Sequence, residues 1–256
     1  MLVTTEGIVL KQRKIAGNRR MITVFTRKYG KISAGTSINE KGKGKSALAL
    51  RPFTYAEYDI FKTRESYSIN SAQALKSFYS IGEDLDRFET ASAFLEYMND
   101  ILEEGEARPK LFDLAVEFLE SLSKAESNHK TLLYAFIIKT LFVQGVMPEL
   151  KVCANCAKSY DRFEKKTPND TDFFSVKAGG IICPECVEKE KKEGEILIFK
   201  PSFDIVTVVR YFIEKPISHF EKIVLKPNVS IELGNILSKY ISWYLGTKVL
   251  EGEYFL

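Results

Sequence analysis

The sequence predicts an α+β chain of more than one domain: a small closed β-barrel at the N-terminus, then an α-helical domain with a four-cysteine module inserted in it. Three observations lead there. Apolar residues recur with a period near two as far as about residue 78 and at helical spacing after it. Short apolar runs separated by turn residues fill the first part. All four cysteines fall in two matched pairs, Cys153-Ala154-Asn155-Cys156 and Cys183-Pro184-Glu185-Cys186. The expected boundaries are a barrel over 1–78 and helices over 79–256, with the cysteine module at about 150–190.

Along the chain, residues 5–11, 21–26 and 31–37 read as strands, broken at Ala16-Gly17-Asn18 and Tyr29-Gly30. A glycine- and lysine-rich segment, 40–45, precedes a longer alternating run over 52–61 that places Thr54, Ala56, Tyr58 and Ile60 on one face. Residues 67–72 make a fifth strand. Five strands in so short a stretch suit the OB-fold, a partly open Greek-key barrel that binds oligonucleotides. From about Phe78 a helical face runs through Phe88, Ala91, Leu95, Met98 and Leu102. Pro109 opens a second helix, and a third, apolar on most sides, spans 129–143. Beyond the cysteine module, Pro201-Ser202-Phe203 starts another helix, and Leu233, Ile236, Leu237, Tyr240, Ile241, Tyr244 and Leu245 stripe the last.

The paired cysteines carry the sharpest chemistry. A Cys-x-x-Cys turn lets two thiolates reach one tetrahedral ion, and two turns close all four positions. The expectation is therefore one structural Zn²⁺ on Cys153, Cys156, Cys183 and Cys186, with no position left for water or substrate. Two disulfides or a redox Cys-x-x-Cys fit less well: the start of the chain lacks a signal-peptide pattern, and two redox turns in one stretch have no evident use. No apolar run reaches the roughly 18 residues of a membrane helix, so a cytoplasmic protein with reduced thiols is expected.

Charge is unevenly distributed. Residues 1–80 carry 15 Lys+Arg against 5 Asp+Glu, whereas residues 81–150 carry 6 against 14. A basic barrel beside acidic helices points to polyanion binding at one end. The candidate phosphate contacts are Arg19, Arg20, Arg27, Lys28, Lys31, Lys41, Lys43, Lys45 and Arg51, clustered near the turns. Phe25, Tyr29, Phe53, Tyr55 and Phe61 are candidate stacking platforms, although alternating aromatics more often serve as core. On the last helix, Trp243 and Tyr244 beside Lys239 and Lys248 suit an acidic peptide ending in an apolar residue.

Catalysis finds little support. With the cysteines assigned to metal and only two histidines present, an acid–base or nucleophilic constellation is hard to assemble. Gly42-Lys43-Gly44-Lys45-Ser46 ends like a phosphate-binding loop but lacks the first glycine and the apolar strand that should feed it.

The order of motifs resembles the RecO family. It includes Thr5-Glu6-Gly7-Ile8-Val9-Leu10, Val24-Phe25-Thr26-Arg27-Lys28-Tyr29-Gly30-Lys31 and Leu50-Arg51-Pro52-Phe53. Further along stand Ser77-Phe78 with Glu83-Asp84-Leu85, Gly145-Val146-Met147-Pro148-Glu149-Leu150 before the first cysteine pair, and Phe174-Ser175 through Ala178-Gly179-Gly180 before the second. The resemblance implies a DNA-binding OB domain, a helical domain and a zinc module that some members lack. It further implies binding of single- and double-stranded DNA, annealing of complementary strands, and help, with RecR, in loading RecA onto DNA coated by single-stranded DNA-binding protein, whose acidic C-terminal tail the family recognises. Ala16-Gly17-Asn18-Arg19-Arg20 departs from the Gly-Glu/Asp-like turn expected of the family at that place. The alternative class is a zinc-containing RNA-binding or transcription-associated factor, which would share the barrel and the charge.

Overall fold

The computed structural model describes residues 1–15, 19–38, 44–64, 66–162, 172–191 and 197–251. They form two compact units, Met1–His129 and Lys130–Leu256.

The first unit is built on five strands, β1 (Leu2–Lys14), β2 (Arg20–Thr26), β3 (Gly30–Thr36), β4 (Thr54–Lys62) and β5 (Tyr67–Ser77), with helix α1 (Lys45–Ala49) between β3 and β4. They close in the order β1-β2-β3-β5-β4, the OB arrangement. β1 pairs antiparallel with both β2 and β4, and β3 meets β5 in parallel at Ala34 and Tyr67. The alternation of β4 is the one its sequence dictates, with Thr54, Ala56, Tyr58 and Ile60 buried. They join Val9, Ile22, Val24, Ile32 and Ile69 in the barrel core.

Helix α1 was not legible as a helix among the glycines and lysines. It contributes Ala49 and the following Leu50 to the barrel core. The Ala49 carbonyl accepts from the Tyr58 hydroxyl at 2.6 Å, which satisfies the one polar atom of a fully buried ring.

Two helices complete this unit, α2 (Leu85–Ile101) and α3 (Pro109–Lys124). Asp84 caps α2 by accepting from the Arg87 N–H, and Pro109 occupies the first turn of α3, where no N–H is needed. Phe94 and Phe118 stack at 4.6 Å between them. Phe25 of β2 meets Phe112 of α3 edge-on at 5.3 Å. Gly30 is held at φ +65°, with the Glu106 carbonyl oxygen only 2.0 Å from where a Cβ would stand. Phe88 departs from the expected helical stripe: it is exposed, whereas Ala91, Leu95, Met98 and Leu102 are buried together with Phe94 and Tyr97, which widen the same face.

The second unit contains nearly all of α4 (His129–Gln144), followed by β6 (Phe173–Ser175), β7 (Gly180–Ile182), α5 (Pro184–Lys191), β8 (Ile198–Phe199), α6 (Ile205–Glu214) and α7 (Pro227–Leu245). The strands form an antiparallel sheet in the order β7-β6-β8. α4 is buried on most sides, as its composition requires. α6 begins later than Pro201 suggested, because Asp204 supplies the cap by accepting from the Thr207 N–H at 3.0 Å. Gly246, left-handed at φ +70°, terminates α7. The stripe of α7 buries Leu233, Ile236, Leu237, Tyr240 and Ile241, and it ends before Tyr244 and Leu245.

Candidate metal centre and nucleic-acid interface

The first cysteine pair sits on a loop after α4, and the second brackets the start of α5. Cys153 lies where its carbonyl accepts from the Ala157 N–H at 2.8 Å, and Ala157 takes a left-handed φ of 58° to close that turn. The two loops are tied across the module by Ala154, whose N–H donates to the Ile181 carbonyl at 2.8 Å. Gly180 permits this approach. Its missing Cβ would lie 2.3 Å from the Glu149 carbonyl oxygen, so close backbone packing, rather than turn flexibility, requires glycine here. Gly179 beside it does take a left-handed turn, at φ +82°.

The ligand atoms of Cys153, Cys156, Cys183 and Cys186 all lie within 4.8 Å of one another. A tetrahedral zinc with Zn–S of about 2.3 Å spaces its sulfurs about 3.8 Å apart. The Cys156 and Cys183 sulfurs are 3.7 Å apart, so the residues fit the ion. Cys153, Cys183 and Cys186 are buried and Cys156 is exposed. Burial and the neighbouring thiols push the Cys186 thiol well above its ordinary range, and burial likewise raises Cys183. At Cys153 burial pushes upward too, but the N–H groups of Cys183, Cys156 and Asn155 outweigh it and bring the thiol down to about 7. Thiols this crowded cannot all ionise alone, and a divalent cation among them reverses that balance. The chemistry such a centre supports is bracing of the loops.

The predicted basic residues separate into two groups. Arg27 is engaged within the first unit: its guanidinium bonds Glu6 at 2.5 Å and Asp113 at 2.6 Å and lies 4.9 Å from the centre of the Phe112 ring. Burial opposes its charge, and the two carboxylates more than compensate, raising its pKa. Lys31 donates to the Asn99 carbonyl at 2.7 Å, and Lys28 to the Thr4 carbonyl at 2.9 Å. Arg19, Lys45 and Arg51 are exposed, with Lys45 facing a groove shared with Glu57 and Asp59. Lys41 and Lys43 lie outside the described residues.

Arg20 belongs to a feature that sequence reasoning named only in part. The register of the β1–β2 hairpin sets Lys14 directly opposite Arg20, whose guanidinium donates to Gln12 at 3.4 Å. Lys11, Arg13 and Lys14 are exposed on the same hairpin beside Arg19. The signal was present in the sequence: residues 7–39 contain eight Lys and Arg and not one Asp or Glu. Like charges directly opposite on paired strands are unfavourable for a sheet in general.

The candidate stacking aromatics divide similarly. Phe25 and Phe53 are buried, Phe61 is half exposed, and Tyr29 lies partly buried with the Lys62 ammonium 5.0 Å over its ring. At the last helix, Trp243 is half exposed and Lys248 exposed, whereas Lys239 pairs with Glu251 at 3.2 Å and the Tyr244 hydroxyl donates to the Val176 carbonyl at 3.1 Å.

Fold and site together define an OB-barrel protein whose helical part carries a four-cysteine module able to hold a metal ion. Residues 1–78 match the family description "Recombination protein O N terminal" and residues 82–251 match "Recombination protein O C terminal". The chain belongs to the RecO family, a family of DNA repair and recombination. It is similar to the "DNA repair protein RecO" of Alkaliphilus metalliredigens, 30% identical over 96% of this chain and 94% of that one. It is also similar to the protein of the same description from Caldanaerobacter subterraneus, 29% identical over 94% of this chain and 92% of that one. Among the described residues no helix is long and apolar enough to cross a membrane.

Proposed function

We propose that this protein is a DNA repair and recombination mediator that binds single- and double-stranded DNA through its barrel, anneals complementary strands and, with RecR, assists loading of RecA onto DNA coated by single-stranded DNA-binding protein. The observation that carries the reading is the basic, acid-free stretch of residues 7–39, in which Lys11, Arg13, Lys14 and Arg20 lie on the paired strands β1 and β2 with Arg19 just before β2. Such a surface neutralises two phosphate backbones at once and leaves the bases to pair, so annealing needs no bond made or broken. Exposed Lys45 and Arg51 are further candidate contacts, while Lys31 bonds α2 and Arg27 bonds α3. Family membership supports the repair role.

The four thiolates hold a structural Zn²⁺, a reading supported by the sulfur spacing. Its ligands would be Cys153, Cys156, Cys183 and Cys186, and the ion would supply cross-linking of the two loops. Trp243 and Lys248, with Lys239 and Tyr244 near them, form the site for the acidic tail of the DNA-coating protein. The deciding experiment is annealing of complementary oligonucleotides coated with single-stranded DNA-binding protein. The expected result is annealing by this protein that weakens as salt rises; equal annealing with and without it removes the mediator reading.

A further inference from the structure

We infer that Glu190 is a positioning residue for the metal centre: by holding the Asn155 side chain it fixes the loop that carries Cys153 and Cys156. The inference rests on the metal reading proposed above.

Glu190 lies one helical turn beyond Cys186 on α5, so the helix turns both toward the same side. It is buried, at 6% exposure, which is unusual for a carboxylate beside four thiolates. One of its oxygens accepts from the Asn155 Nδ2 at 3.3 Å, and the other accepts from the Ser175 hydroxyl at 2.5 Å. Asn155 stands between Cys153 and Cys156 on the first cysteine loop, so a bond to its side chain fixes the loop between the two ligands. A single carboxylate therefore joins α5, which follows the second cysteine loop, to the first cysteine loop and to β6.

Electrostatics make this position costly to keep. A zinc tetrathiolate carries a net charge of about −2, and a buried carboxylate adds to it. Lys177 and Lys189 line the same open pocket of about 360 Å³ as Asn155, Cys156, Cys186 and Glu190, and they offset part of that charge. Groups that orient metal ligands from behind commonly tune affinity in this way. The competing view is that Glu190 only pins β6 to α5 through Ser175.

Metal affinity distinguishes the two. The zinc-loaded full chain and its variants are titrated with the chelating dye 4-(2-pyridylazo)resorcinol, and thermal melts are recorded in parallel. Asn155 is exposed, so Asn155→Ala tests the contact without risk to the core. Asn155→Ala and Glu190→Ala should each weaken zinc binding by about 10–100-fold, and the double variant should be no worse than the weaker single. Glu190→Gln keeps atoms able to bond both partners and should stay within a few-fold of the parent, as should Ser175→Ala, which leaves the Asn155 contact in place. Parent-like affinity in Asn155→Ala, or Ser175→Ala weakened as much as Glu190→Ala, overturns the inference while leaving the metal reading intact. A parent protein that holds no metal overturns both.

Discussion

Replacing Lys14 and Arg20 together by glutamine separates binding from stability more cleanly than any other change in the barrel. Their register across β1 and β2 sets two cationic side chains directly opposite, with Cβ atoms about 4.5–5.5 Å apart, and like charges so placed cost a sheet roughly 0.2–1 kcal/mol. Removing both charges should therefore leave the barrel as stable as before, or slightly more so. Binding should respond in the opposite sense. Each phosphate neutralised on a single strand contributes about 0.7 to the slope of log K against log salt, so five hairpin cations supply about 3.5 and three supply about 2.1. Raising salt from about 50 to about 200 mM then costs the parent about 130-fold in affinity from the hairpin and the variant only about 18-fold. Fluorescence anisotropy with a labelled single-stranded oligonucleotide at several salt concentrations gives the slopes, and urea melts give the stability. An unchanged slope in a variant that melts like the parent would refute the assignment of phosphate contacts to this hairpin.

Arg27→Ala should behave in reverse, costing about 1 kcal/mol of stability in urea melts through its lost contacts with Glu6, Asp113 and Phe112, with the salt slope of DNA binding unchanged. Cys183→Ser should abolish stoichiometric zinc by elemental analysis and lower the melting temperature, with the same salt slope as the parent. Hydrogen bonds from Ser71 and Thr4 hold the Asp59 carboxyl below its ordinary range, so its contribution to stability is present above about pH 3.9 and is lost as pH falls through the lowered value. Urea midpoints measured from neutral pH downward should fall less steeply on the acid side in Asp59→Asn. Gly30→Ala should be destabilising in the same melts, because the Glu106 backbone occupies the space of the new Cβ at a left-handed φ.

What the sequence determined by itself lies in short-range patterns. Two thiols three residues apart are brought together by one turn of chain, so each cysteine pair was legible from spacing, while the meeting of the two pairs belongs to the tertiary fold. The alternation of Thr54, Ala56, Tyr58 and Ile60 and the proline at the start of α3 are equally local, since backbone geometry fixes which residues share a face and where an N–H is dispensable. Tertiary structure alone decided what long-range partners do. Arg27 and Arg19 are the same residue type on the same small barrel, yet Arg27 finds Asp113, which is distant along the chain, and Arg19 remains exposed. Phe88 fits the helical stripe that buries Leu95 and Met98 but stands exposed, because what faces a side chain depends on the elements packed around the helix. Gly180 is a point of close approach to Glu149, a constraint set by packing across the module and not by any local pattern. That Arg20 stands directly opposite Lys14 is likewise set only by strand register, which a one-residue slip would undo.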